Sequence, residues 1–181
     1  MGAARRMRKS LLARLYDAEA PKYEARYGAE QEPKVRDAIA MAPPRYPVLD
    51  AGCGTGILLR RLGVLSVGLD ISPSMLRVAA RGRGRELVLG DMERMPFRSD
   101  SFWTVYSITA VQLSEDLERA LSEIARVVKA GGIAVVSAHR ATQASRELDA
   151  AAEAAGLVVT SEREPDDVDI DRIVACVKPN Q

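Results

Sequence analysis

The nine residues Val48-Leu49-Asp50-Ala51-Gly52-Cys53-Gly54-Thr55-Gly56 constrain this chain more than any other stretch. An apolar run that ends in a carboxylate and passes at once into three glycines spaced two apart reads as a buried strand entering a turn of unusual backbone freedom. The apolar segment 57–62 that follows is read as a short helix, so the glycines fall between a strand end and a helix N-terminus. In an open α/β sheet that is where a nucleotide-like ligand lies against the main chain.

Around this stretch the pattern alternates. Short apolar runs at 47–50, 66–71, 86–90, 102–109, 132–138, 157–163 and 171–178 are separated by helical patterns at 57–62, 73–80, 114–129 and 142–155. That alternation predicts an α/β fold, a mostly parallel sheet covered by helices. In the 114–129 helix, Ser114 is the expected N-cap and Gly131 lies beyond the end. The proline-bearing stretch 93–101 is expected to be a loop. Residues 1–15 form a basic helix in which Arg5, Arg6, Arg8, Lys9 and Arg14 surround Met7, Leu11, Leu12 and Leu15. It is either a solvated helix packed on the core by its leucines or an arm that contacts phosphates. A second helix is expected from Pro21 through Ile39, stopped by Pro43-Pro44. Tyr16, Tyr23 and Tyr27 concentrate here in a chain with only 4% aromatic residues, which fits either packing or an aromatic lid over the glycine loop.

Composition limits the alternatives. A chain of 181 residues is one domain by the usual size relation. Its 26 basic and 25 acidic residues nearly cancel, so any preference for nucleic acid or membrane must be local. The basic arm favours RNA. The acidic run Glu162, Glu164, Asp166, Asp167, Asp169 and Asp171 opposes it, and the Arg81-Gly82-Arg83-Gly84-Arg85 tract is read as a solvated turn. Two distant cysteines, Cys53 and Cys176, are expected to be free thiols in a reducing compartment, and no apolar run reaches the length of a signal peptide or a bilayer span. A cytoplasmic protein is expected, with no membrane partner. No Cys, His or carboxylate cluster has metal-ligand spacing, so no metal is expected.

Two further acids end strands. Asp70, twenty residues after Asp50, can accept both hydroxyls of a ribose whose remainder lies along the glycine loop. Asp91, followed by Met92, can recognise an adenine edge through one side-chain acceptor and the next backbone N–H. A nicotinamide dinucleotide fits less well, because Ile57 stands where that pattern needs its third glycine.

With these motifs, nearly the whole chain resembles the class I S-adenosylmethionine-dependent methyltransferases, most closely the small ubiquinone-biosynthesis-like (methyltransferase type 11) group. The resemblance rests on Val48–Gly56, Asp70, Asp91-Met92, Met95-Pro96-Phe97, the run from Arg126 to Gly132, and the opening Tyr16-Asp17-x-x-Ala20-x-x-Tyr23. Trp103 and Ala130 depart from the group, which has Asp and Pro there; neither is a cofactor residue.

The resemblance implies a Rossmann-like seven-stranded sheet in the order 3-2-1-4-5-7-6 with the last strand antiparallel. It also implies a helical cap, 1–42, over the cofactor site and a core of 47–181. S-adenosyl-L-methionine is the implied cofactor. Gly52, Gly54 and Gly56 would let the backbone approach its methionine portion, and Asp50 would hold the loop and the amino group. Asp70 would take the ribose, Ile71 would pack on the adenine, and Asp91 and Met92 would read its edge. Ser107 and Thr109 would line the path to the methyl, and Tyr27 would join Tyr16 and Tyr23 against the cofactor. Because a sulfonium methyl is already activated, the protein mainly holds the nucleophile in line, with a base only for a protonated acceptor. Weak catalytic candidates are His139, at a strand end where it is otherwise structural, with Tyr16 and Tyr23. The acceptor stays open between RNA or protein and a small molecule; the near-minimal length implies an open site, which favours a large acceptor such as RNA or protein, or an activating partner subunit. A cofactor-binding, non-catalytic subunit is the other reading.

Overall fold

The computed structural model describes residues 2–82, 86–166 and 170–180, with side chains from Met7 onward. Arg83 to Arg85 of the arginine tract, Asp167 and Asp169 of the acidic run, and the Arg5 and Arg6 side chains lie outside the described residues.

Two helices, α1 (Gly2–Glu19) and α2 (Tyr23–Met41), precede β1 (Val48–Ala51), β2 (Ser66–Asp70), α3 (Pro73–Ala79), β3 (Glu86–Leu89) and β4 (Phe102–Ser107). Then come α4 (Leu117–Val127), β5 (Val128–His139), α5 (Gln143–Ala154), β6 (Val158–Arg163) and β7 (Asp171–Val177). The seven strands form one sheet in the order β3-β2-β1-β4-β5-β7-β6. β1 pairs in parallel with both β2 and β4, whereas β7 runs antiparallel to β5 and β6. The expected order is therefore the observed one. The chain leaves β1 on one side for β2 and β3, then returns to its other side for β4, so the crevice of the sheet opens at the carboxyl ends of β1 and β4.

Strand alternation divides the core in two. Leu49, Val105, Val136 and Val174 join Leu121, Ile124 and Leu148 of α4 and α5 in one cluster. Val48, Tyr106, Val135 and Ile173 join Val35 and Ala38 of α2 with Leu58, Leu59 and Leu62 in the other. The Tyr106 hydroxyl donates to the Ala42 carbonyl and anchors the end of α2 to β4.

Several local expectations are corrected. Segment 57–62 is a set of turns with one 3-10 turn at Leu59–Arg61, because Ile57, Leu58 and Leu59 are all buried in succession, which a one-faced helix cannot do. α4 is capped by Asp116, whose carboxylate accepts from the Arg119 N–H at 3.0 Å; Ser114 instead closes the 3-10 turn Val111–Leu113. β5 begins at Val128, and a register shift opposite Phe102 to Thr104 absorbs Gly131 at φ 70°. The leucines of α1 do not all face inward: Met7, Leu11 and Leu15 are 73%, 68% and 58% exposed. The described acids of the 162–171 run are paired: Glu162 and Glu164 with Arg172, Asp166 with Arg163, and the buried Asp171 with Lys34.

Candidate functional site

The floor of the crevice is backbone. After β1, the N–H groups of Gly52 and Cys53 both donate to the Leu69 carbonyl, at 2.7 and 3.0 Å, so the loop is held against the end of β2. Asp70, the last residue of β2, accepts from the Gly54 N–H through Oδ2 and from the Ser72 N–H through Oδ1, each at 2.8 Å. Gly52 has φ 84°, and a Cβ there would collide with the Ala110 Cβ. Gly54, at φ 52°, differs: a Cβ there would meet nothing within 4 Å, so its backbone borders open space.

Beneath this loop lies Asp50, buried, with one carboxylate oxygen, Oδ2, lacking a hydrogen-bond partner. Burial, with the nearby Asp70 carboxylate, pushes its pKa up to about 8, so the group is largely protonated at neutral pH. Burial also raises Asp70, against the N–H donors that favour its charge. The Cys53 thiol is raised well above its usual range, chiefly by burial.

The space over Gly54 is a cleft of about 750 Å³, lined among others by Gly52, Asp70, Ile71, Asp91, Met92 and Thr109. A smaller lobe of about 360 Å³ reaches Asp50 and Gln31 and shares Gly52, Gly54, Tyr23 and Ile108 with it. The helical pair forms the roof. Tyr16 and Tyr23 line the cleft, with ring centroids 6.5 Å apart. Burial, then the charge of Asp70, raises the Tyr16 phenol, and burial raises that of Tyr23.

α1 is tied to the rim at two points. Asp17 accepts from the Ser72 hydroxyl at 2.6 Å and the Ser74 N–H at 2.9 Å, and the Ser72 hydroxyl holds its pKa below the usual carboxylate range. Lys9 reaches the Asp91 carboxylate and stands 2.9 Å from Glu93 Oε2. Burial pulls the Lys9 ammonium down, and these two acids more than offset it.

Most of the residues expected in the site are thus brought together: Gly52, Gly54, Asp70, Ile71, Asp91, Met92, Tyr16 and Tyr23 on one cleft, and Asp50 on its side lobe. Four lie outside both linings. Gly56 packs against Ala79 of α3, and Ser107 is buried with its hydroxyl donating to the Ala51 carbonyl at 2.7 Å. Tyr27 stacks on Tyr23 at 5.1 Å, and His139, at the end of β5, accepts through Nδ1 from the Ala141 N–H at 3.1 Å. Lys9 and Asp17 carry no individual role in the sequence: Lys9 belongs to a basic run that reads as solvated or as a phosphate-contacting arm, and Asp17 only to the opening motif of the resemblance. Among the described residues no group of Cys, His and acids could hold a metal ion, and no helix is long and apolar enough to cross a membrane.

Residues 49–136, from β1 into β5, match the family model described as a methyltransferase domain. A malonyl-[acyl-carrier protein] O-methyltransferase of Serratia marcescens is 32% identical over 134 residues, covering 71% of this chain and 52% of the relative. A tRNA (carboxymethyluridine(34)-5-O)-methyltransferase of Arabidopsis thaliana is 31% identical, covering 77% and 35%. The chain therefore spans about half or less of the length of these curated relatives. In fold it is similar, at TM-score 0.77 and 23% identity, to a chain in a complex between the Haloferax volcanii Trm112 methyltransferase activator and a protein assigned as a methyltransferase; the match covers 91% of this chain and 98% of that one. With sheet order, family model and relatives in agreement, the chain belongs to the class I S-adenosylmethionine-dependent methyltransferase family.

Proposed function

We propose that the protein transfers a methyl group from S-adenosyl-L-methionine to an acceptor carried by RNA or protein. The observation that carries this reading is the row formed at the carboxyl ends of three adjacent strands. Gly54 offers bare backbone, Asp70 a carboxylate beside it, and Asp91-Met92 a second acceptor and an N–H. Such a row suits the methionine portion, the ribose and the adenine in turn. The residues fit the cofactor on two counts: the empty side of Gly54 leaves room for it, and the unpartnered Asp50 oxygen suits an ammonium group.

When bound, the cofactor supplies an electrophilic methyl. Each residue of the chain then has a limited task. Asp70, with two of its acceptor positions taken by N–H groups, has others for ribose hydroxyls. Ile71 and Met92 pack on the base, and Asp91 accepts from its edge once Lys9 yields. Asp50 loses its proton to balance the ammonium. Tyr16 and Tyr23 exclude water from above, with Tyr27 behind them. Gly56 and Ser107 fix the loop and the end of β4 from below, and His139 remains the candidate to take a proton from a rim-bound acceptor. In this reading residues 1–42 are a cap on a single domain whose core is 47–181. The cytoplasm is the compartment that suits two buried, free cysteines.

A carried acceptor, rather than a small metabolite, is supported by the names of the relatives, one acting on an acyl-carrier protein and one on tRNA, and an activating subunit by the fold neighbour in a complex. The reading of a cofactor-binding, non-catalytic subunit draws on one observation: Lys9 occupies the carboxylate that would meet the adenine. Labelled methyl transfer from the cofactor into fractionated extract separates the two. Label in RNA or protein is the expected result. Binding of S-adenosylhomocysteine without any transfer marks the non-catalytic subunit, and absence of that binding in the folded protein overturns both.

A further inference from the structure

The least expected feature of the interior lies one layer beneath the cleft. Lys34 of α2 and Asp171 at the start of β7 are both fully buried, and the ammonium stands 2.9 Å from Asp171 Oδ1 and 2.7 Å from Glu30 Oε1. Desolvation of such a pair largely cancels its attraction, and apolar residues of the same size serve stability as well, so stability alone does not account for it. Its other bonds show where it acts. Asp171 Oδ2 accepts from the Thr109 hydroxyl at 2.7 Å and from the Ser137 hydroxyl at 2.8 Å, and Ser137 Oγ in turn accepts from the Thr109 N–H at 2.8 Å. Thr109 has φ 56°. For a β-branched residue that is a strained backbone, which persists only where its surroundings over-determine it. Two of the three bonds end on this residue, and the third ties Ser137, which receives one of them, to Asp171.

The kink at Thr109 decides where its neighbours go. Ile108 lines both lobes of the cleft, and Ala110 sits so close over Gly52 that a side chain there is excluded. We propose that Lys34 and Asp171 are positioning residues: they hold Thr109 in the left-handed conformation and through it set Ile108 and Ala110 as the wall of the cleft facing the glycine loop. Because Lys34 belongs to the cap and Asp171 to the sheet, docking of α2 and shaping of the cleft are one event. The inference rests on the methyltransferase reading only for its choice of ligand.

The test is a coupling measurement with S-adenosylhomocysteine. Lys34→Met/Asp171→Leu removes both charges. Its effect is measured with Thr109 present and again in Thr109→Gly, since glycine takes up positive φ without help. With Thr109 present, the paired substitution weakens binding at least about ten-fold; with glycine, less than about three-fold. Equal losses in the two backgrounds, or no loss with Thr109, overturn the proposal. Should that variant fail to fold, Lys34→Met/Asp171→Ala, which removes the acceptor of both hydroxyls without the bulk of leucine, is read the same way. The Thr109 Cα and Cβ chemical shifts supply a ligand-free reading: they leave the left-handed range when the pair is removed, and shifts that stay overturn the proposal. If the native protein itself does not bind S-adenosylhomocysteine, the methyltransferase reading fails and these shifts decide the inference alone.

Discussion

The floor and the roof of the cleft are built on different principles. The floor is main chain held to the end of β2: the Leu69 carbonyl receives two N–H groups of the glycine loop, and the Asp70 carboxylate receives a third. The α1 half of the roof is held by its side chains. Lys9 meets Asp91 and Glu93, Asp17 meets Ser72 and Ser74, and no described side chain of α1 is fully buried. A floor of this kind opens only with the sheet, whereas the α1 half of the roof, with few buried apolar contacts, opens at a small fraction of the global stability. The contrast teaches that the same cleft can be rigid where a ligand must be recognised and loose where it must enter.

The contrast can be broken first at the floor. Gly52→Ala puts a side chain on a left-handed backbone and into Ala110, at about 3 kcal/mol or more, so the melting temperature drops sharply. A variant melting like the native protein would show that Ala110 can move aside. Asp70→Ala leaves the fold and weakens S-adenosylhomocysteine binding by about 1–3 kcal/mol, measured by calorimetry. Unchanged affinity would reduce Asp70 to a turn residue.

Asp50 sharpens the floor further through pH. Its acid is neutral below about pH 8 in the ligand-free protein, and holding an ammonium requires the charged form. Binding must then expel a proton, so affinity rises with pH up to about 8, by at most about 1.4 kcal/mol per pH unit, and levels off above. Calorimetry in buffers of different ionisation heat detects the released proton, and Asp50→Asn abolishes it. Affinity flat from pH 6 to pH 8, on the order of two units below and up to the Asp50 value, would mean that the ammonium is held elsewhere. The smallest effect belongs to the roof. Lys9→Met loosens α1 by about 1 kcal/mol, so limited proteolysis within residues 1–40 quickens by roughly five-fold while the melting temperature scarcely moves. S-adenosylhomocysteine protects that region in the native protein, and equal cleavage with and without it would remove the cap from the binding site.

The same division governs what could be read from the sequence. Asp50, the alternating glycines, Asp70 and Asp91 were legible because each strand end carries its chemistry within a few residues of the turn that needs it. Sheet order followed from the family resemblance. What escaped depends on partners far along the chain: Lys9 and Asp91 are 82 residues apart, and Asp17 and Ser72 are 55 apart. A lysine in a basic run gives no local sign that it turns inward. The misread helix at 57–62 failed for a related reason, since its helical spacing of apolar residues was overruled by a core that takes three in succession. Ser107 was legible as a strand-end residue near the site, but only the packed sheet gives its hydroxyl to Ala51.

The Lys34–Asp171 pair has a consequence in time as well as in space. During synthesis the lysine leaves the ribosome long before its carboxylate exists, and 137 residues added at ordinary rates take roughly 7 to 27 s. Through that interval α2 has only the half-exposed Glu30 of its own helix against its ammonium, so the cap has reason to stay undocked until β7 arrives. The nascent chain thereby keeps its cleft unformed until the sheet is nearly whole.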